Sequence, residues 1–454
     1  MMTIPKSPSR VRTLAAAAAV SIAALALTGC GGPETRSTGS TGTAVAAGSG
    51  EGTINVWAVD GQAAENDALK KIISNFESSQ SKIKVNLKLF PSDQYTKAVN
   101  SAAPGGLPDV LDFDGPTLAS FVYNGKMAPL KGSVSDATLS NQTDSIKSQN
   151  TVDDAVYGVG MMNAGLALWG NKKLLDAAGV AYPTTPERAW TADEFTGVLD
   201  KLTTVVPGGK PLDLSEQYGF AGEWGTCCSA GPVIWSGGGT MLKDNKASGA
   251  LDSDANVKSL TQLASWKKYT DPNADGLAFT SGRVALSWVG HWTYPTYKAL
   301  GSDLVSIPLP NFGKGTKTAS GTFAWGMGAT TKNGAAAGKF LDFLMSDDSV
   351  RTYTDANGAP PATKTALAAS TLYGPGKQLQ LLGDQLSKAC GTENQINDAC
   401  VSVTRPVTAG YPVVTDQVGK AEAAIYAGKD AKEALAAAAR AIDQNFADND
   451  GYKK

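Results

Sequence analysis

From residue 53 the chain opens on a two-residue alternation. Ile54, Val56 and Ala58 are separated by Asn55 and Trp57, the pattern of a strand with one buried face. Leu69, Ile72, Ile73 and Phe76 then recur at helical spacing, which predicts a helix directly after it. Alternation returns with Ile83, Val85, Leu87 and Leu89 around Lys84, Asn86 and Lys88, predicting a second strand. A third strand is expected over 110–113 and a helix over 118–123, stopped at Gly125 with Pro129 beyond it.

Strands separated by helices imply an α/β fold with a mainly parallel sheet, helices on both faces and ligands at the carboxyl ends of the strands. The pattern puts Trp57 and Asp114 at two such ends. Further helices are predicted over 171–178, 191–202, 257–269 and about 431–446. The last begins with Asp430 and Glu433 at capping-box spacing and carries Leu435, Ala439, Ile442 and Phe446 on one face. No internal repeat is present.

The N-terminal stretch follows a different pattern. Lys6, Arg10 and Arg12 form a basic leader, and 14–27 is an apolar run too short to span a membrane. Leu27-Thr28-Gly29 then leads into Cys30. This is the order of a bacterial lipoprotein signal, so residues 1–29 are expected to be removed and Cys30 to carry the lipid. Residues 30–52, rich in Gly, Ser, Thr and Ala, are expected to form a flexible tether that holds the protein outside the cell membrane.

Composition narrows the function classes. Removal of the leader leaves enough chain for two or three domains. With 40 basic and 42 acidic residues, no concentrated basic surface points to nucleic acid. Besides Cys30 there are four cysteines, an even number for an oxidising compartment. Pairing of Cys390 with Cys400 is favoured because the short loop closes cheaply, which leaves Cys227 and Cys228 as a strained adjacent pair; two bridges between the Cys227 and Cys390 regions are the rival. An oxidised Cys227–Cys228 pair is read as a loop staple, with a small rigid sulfur face beside Trp224 as the alternative. One histidine and no spaced Cys-x-x-Cys leave no zinc motif.

Catalytic signatures are absent. None of the seven Gly-Lys dipeptides precedes Ser or Thr, no G-x-G-x-x-G follows a strand, and no G-x-S-x-G occurs. His291 sits in Trp288-Val289-Gly290-His291-Trp292, a context of packing rather than catalysis. No acid pair stands in a glycosidase setting.

Ordered short segments carry a resemblance. Leu107-Pro108-Asp109-Val110 leads to Asp114, then Gly125 and Pro129-Leu130. Tyr157-Gly158-Val159-Gly160 precedes Asn171-Lys172-Lys173-Leu174-Leu175, Ala178-Gly179, Pro186 and Trp190. Phe279-Thr280-Ser281-Gly282-Arg283 with Gly290-His291-Trp292, Pro308-Leu309-Pro310, Ala324-Trp325-Gly326, Gly358-Ala359-Pro360 and Arg405-Pro406 complete the series. In this order and spacing the chain resembles the extracellular solute-binding proteins of carbohydrate ABC importers, the group that includes maltose- and trehalose-binding proteins. Gly160, Trp169-Gly170 and the cysteines depart from that pattern.

The resemblance implies a two-lobed fold with an interlobe cleft and about three hinge crossings. It places 53–160 and 287–328 in the N-lobe and 161–286 and 329–454 in the C-lobe. It also implies a monomer without cofactor that delivers a sugar, a di- or oligosaccharide, to ABC permease subunits. Sugars are held by flat aromatic rings and by planar carboxylates, amides or guanidinium groups. The candidate contacts are therefore Trp57, Glu65, Asp114, Trp224, Trp235, Trp292, Trp325, Arg405 and Tyr411. The rival readings are a surface glycoside hydrolase and a binding protein for a non-sugar solute such as a glycerophosphodiester.

Overall fold

The computed structural model describes residues 44–103, 105–215, 224–321 and 323–453. The leader, its cleavage site and Cys30 lie outside them.

The first lobe is built on a sheet ordered Ile83–Phe90, Gly52–Val59, Val110–Asp114, Phe323–Gly328, Met127–Ala128, with Gly158–Val159 also paired to Phe323–Gly328. The three predicted strands are present and parallel to one another. Phe323–Gly328 runs antiparallel to Val110–Asp114, so the sheet is mixed rather than mainly parallel. Ile54 and Val56 bury their side chains against Leu69, Ile72 and Phe76 of the helix Ala63–Ser79 and against Phe340 and Leu341. On the other sheet face Phe113 packs with Phe121 and Tyr157. Each face is apolar because each is covered by helices, as expected for strands that cross over through helices.

The second lobe carries the sheet Leu304–Ile307, Leu166–Asn171, Leu286–Gly290, Leu212–Asp213. Its larger core gathers Phe195, Trp235, Trp266, Val414, Leu435 and Ile442 from the surrounding helices. Trp169, Phe279 and Tyr297 form the core on the opposite face. A three-stranded sheet, Thr318–Ser320, Ser402–Thr404 and Ala389–Gly391, extends this lobe and holds the Cys390–Cys400 bridge. Cys227 and Cys228 form the second bridge.

The chain passes between the lobes three times, within 160–165, 320–323 and 358–372. One residue joins all three passages. Asn163 donates its backbone N–H to Pro360 O at 2.8 Å, and its Oδ1 accepts the Gly321 N–H at 3.0 Å. Ala362 N in turn donates to Met161 O at 3.1 Å.

Three expectations need correction. Residues 287–320 belong to the second lobe, because Leu286–Gly290 pairs along its whole length with Leu166–Asn171. The first lobe resumes at Phe323 and also takes the helices Gly334–Leu344 and Asp347–Asn357, whose Phe340, Leu344 and Val350 complete its core, so 329–366 is not second-lobe chain. The tether does not run free to residue 52: Ala46 O and Ala47 O accept N–H donors from Gly334 and Ala335 at 3.0 and 2.7 Å, and Val45 packs on the first-lobe core.

Candidate functional site

The end of the strand Val110–Asp114 sends Asp112 and Asp114 to the same side, two residues apart, at the boundary between the lobes. Arg405, which follows the strand Ser402–Thr404 of the second lobe, meets Asp114 there. Its Nη1 donates to Asp114 Oδ2 at 2.9 Å and its Nη2 to Asp114 Oδ1. Nη1 also donates to the Tyr411 hydroxyl at 3.1 Å. Burial pulls the Arg405 guanidinium down, but the Asp114 carboxylate and Tyr411 outweigh it and hold it above its ordinary value. A bidentate pair of this kind fixes both partners in one plane.

Beside this pair lies a cavity of about 480 Å³ lined from both lobes. The first lobe supplies Asp60, Gln62, Glu65, Asp112, Asp114, Phe323 and Tyr353; the second supplies Leu214, Ser215, Trp224, Cys227, Cys228, Trp288, Trp292 and Arg405. A second hollow of about 440 Å³, which includes Tyr411, shares Val59, Asp114, Trp224 and Phe323 with it. Trp224 and Phe323 meet across the lobes with ring centroids 6.1 Å apart.

The aromatic wall is held by its neighbours. The Trp288 indole N–H donates to Cys228 O at 2.9 Å. Trp292 lies flat on Gly290: a Cβ there would stand 2.0 Å from the ring carbon Cζ3, so only glycine leaves room for the indole. Gly290 itself has an ordinary φ of −85°, and its requirement is therefore steric rather than conformational.

The acids are held by backbone and amide donors. Glu65 sits in the first turn of Ala63–Ser79, taking the Gln62 N–H at 2.9 Å and the Asn357 amide at 3.0 Å, while burial raises its carboxyl. Asp112 is raised to about 8, first by burial and further by Glu65 and Asp114, against a Val59 N–H at 3.4 Å that favours its charge. Burial also lowers His291 to about 4, so it is neutral at physiological pH. Among the described lining residues are four carboxyl groups and, besides neutral His291, one base, Arg405, already engaged with one of the four. The arrangement offers carboxyl oxygens to hydroxyl or cationic donors and flat rings to apolar faces. Among the described residues no group of His, Cys, Asp and Glu is arranged to hold a metal ion, and no helix is long and apolar enough to cross a membrane.

The structure brings Glu65, Asp114, Trp224, Trp292 and Arg405 to the main cavity and Tyr411 to its neighbour. Three expected residues are elsewhere. Trp57 lies two residues short of its strand's end, on the face away from Ile54 and Val56, packed on Phe90 with Lys88 Nζ 5.5 Å from its ring centroid. Trp235 is fully buried in the second-lobe core and donates its indole N–H to Glu393 at 2.6 Å. Trp325 is buried in the first-lobe core from the middle of Phe323–Gly328. The sequence reading missed Asp60, Gln62, Asp112, Trp288, Phe323 and Tyr353. Asp112 was legible as the residue two before Asp114, and Trp288 stood in the motif taken as packing.

The body is thus two-lobed and α/β, with a lined cleft between its lobes. The family model for bacterial extracellular solute-binding proteins matches residues 71–374, and the chain belongs to that family. Among its relatives, a multiple sugar-binding protein of Streptococcus mutans is 24% identical over 333 residues, covering 67% of this chain and 74% of the relative. A maltooligosaccharide ABC transporter solute-binding lipoprotein of Streptococcus pneumoniae is 24% identical over 290 residues, covering 61% of this chain and 64% of the relative. Among solved structures, the GacH receptor of Streptomyces glaucescens, studied with acarbose, superposes with a TM-score of 0.71 at 20% identity, covering 87% of this chain and 98% of that one. The cyclic α-maltosyl-1,6-maltose binding protein of Arthrobacter globiformis gives 0.66 at 20% identity, with 87% and 98% covered.

Proposed function

We propose that this chain captures a sugar, a di- or oligosaccharide, in the interlobe cleft and delivers it unchanged to the permease of an ABC importer. One observation carries the reading. Trp224 and Trp292 line a single cavity together with the carboxyls of Asp60, Glu65, Asp112 and Asp114, which combines aromatic surface for the C–H face of a pyranose with acceptors for its hydroxyls. The likeness to sugar-binding relatives supports it. The protein acts as a monomer without cofactor, held to the membrane by lipid on Cys30; Trp224, Trp292, Glu65, Asp114, Arg405 and Tyr411 are its proposed contacts.

The test is a melting screen against maltose, maltotriose, trehalose and glycerophosphodiesters, followed by calorimetry and chromatography of the recovered ligand. A bound sugar at a hundredfold its Kd adds about 2.7 kcal/mol of stability and raises Tm accordingly. A shift with a phosphodiester and none with any sugar would overturn the reading, and recovery of a cleaved glycan would make the protein an enzyme.

A further inference from the structure

We propose that the Cys227–Cys228 disulfide is itself part of the ligand-binding surface, a rigid sulfur wall against which the apolar face of the bound sugar packs beside Trp224. The inference rests on the sugar reading and extends it to a contact that the general chemistry of sugar recognition does not require.

Its placement carries the proposal. Both cysteines line the main cavity, next to Trp224, Trp288 and Trp292. Both are half-buried: one side packs on the second-lobe core and the other is open to the cleft. The Cys390–Cys400 bridge, by contrast, is buried, with each cysteine 6% exposed.

The bridge is also tied to the aromatic wall. The backbone N–H groups of Cys227 and Cys228 both donate to Trp224 O, at 3.1 and 2.9 Å, and Cys228 O takes the Trp288 indole N–H. The turn that presents it has no slack: a Cβ on Gly231 would stand 2.0 Å from Thr226 O.

Stability is a poor reason for this bridge. A disulfide constrains the unfolded chain in proportion to the loop it closes, and a separation of one residue closes the smallest loop there is, against ten for Cys390–Cys400. What the adjacent bridge does supply is shape. Two linked sulfurs form a fixed, polarizable surface with no strong hydrogen-bonding demand, suited to the C–H groups of a ligand. As two free thiols the same side chains would rotate independently and carry S–H donors.

Two experiments on the full chain decide it. Without ligand, the folded protein is treated with a water-soluble phosphine, free thiols are alkylated and mapped by mass spectrometry, and tryptophan emission is followed. Cys227–Cys228 should open at least about tenfold faster than Cys390–Cys400, because only the former is reachable. Emission should change with its opening, since Trp224 and Trp288 adjoin it. Resistance equal to that of Cys390–Cys400, or emission blind to opening, would overturn the proposal.

In the second experiment, calorimetry with maltotriose compares wild type with Cys227→Ser/Cys228→Ser and Cys390→Ser/Cys400→Ser. The first double variant should bind about tenfold more weakly, the loss expected for a modest apolar contact. The second should keep wild-type affinity while melting lower. Equal affinity in wild type and Cys227→Ser/Cys228→Ser sinks this inference and leaves the sugar reading standing. A wild type that binds no sugar of the screen sinks that reading instead, and the contact proposed here with it.

Discussion

Arg405 grips Asp114 with both arms of its guanidinium, across the boundary between the lobes. Arg405 is 3% exposed at its side chain and Asp114 12%, so neither charge is freely hydrated. Removing the cation with Arg405→Leu leaves a nearly buried carboxylate alone. We expect a loss of roughly 3–5 kcal/mol in urea unfolding. Asp114→Asn/Arg405→Leu, which removes both charges, should recover part of it. A loss under about 0.5 kcal/mol for Arg405→Leu, the size of an ordinary surface change, would show that the pair does not hold the lobes.

Asp112 makes stability depend on pH. Its carboxyl ordinarily titrates at 3.8, and burial in the folded chain raises it to about 8. A raised carboxyl contributes fully below its unfolded value and loses that contribution as pH climbs through its folded one. Asp112→Asn, which never ionises, should therefore match wild type near pH 4 and become the more stable protein by pH 8, by on the order of a few kcal/mol. Chemical denaturation across this range measures the gap; a gap that stays flat removes Asp112 as its source.

Trp235 and Trp292 should separate stability from binding. Trp235→Phe takes the indole N–H from Glu393, a buried carboxylate that also accepts from the Met241 and Leu242 backbone. We expect about 1–3 kcal/mol of destabilisation with the Kd for sugar unchanged. Weakened binding in a folded Trp235→Phe protein would return that residue to the site.

Gly290→Ala tests how Trp292 is seated. The new methyl would occupy the space of the indole, so the ring must leave its position. We expect a cost of about 1–3 kcal/mol in folding. Sugar affinity should fall about tenfold, as in Trp292→Ala, because a displaced ring no longer stacks. Calorimetry of both variants checks this, and wild-type affinity in Gly290→Ala would mean that the ring's position is immaterial.

Much of the first lobe was legible because its strands keep a two-residue period that any core-facing strand must keep. Ile54, Val56 and Ala58 are buried as the alternation required, and Asp114 closes its strand. The second lobe was less so. Leu286–Gly290 is buried along its whole length and shows no alternation, and its partner lies over a hundred residues earlier, so nothing local says to which sheet it belongs. The tryptophans failed for a related reason. Whether an indole faces a core or a cleft depends on partners remote in sequence, as with Trp235 and Glu393, 158 residues apart. Asn163, which joins the three crossings, carries no local signal either.

The short segment around Ala46 and Ala47 settles which half of the molecule bears any pull from its N-terminal side. Hydrogen bonds to Gly334 and Ala335 clip it to the first lobe just ahead of the strand Gly52–Val59, so tension entering there is taken up by that lobe. Were the chain leashed at its N-terminus as proposed, the first lobe would be the moored half and the second would hang from it.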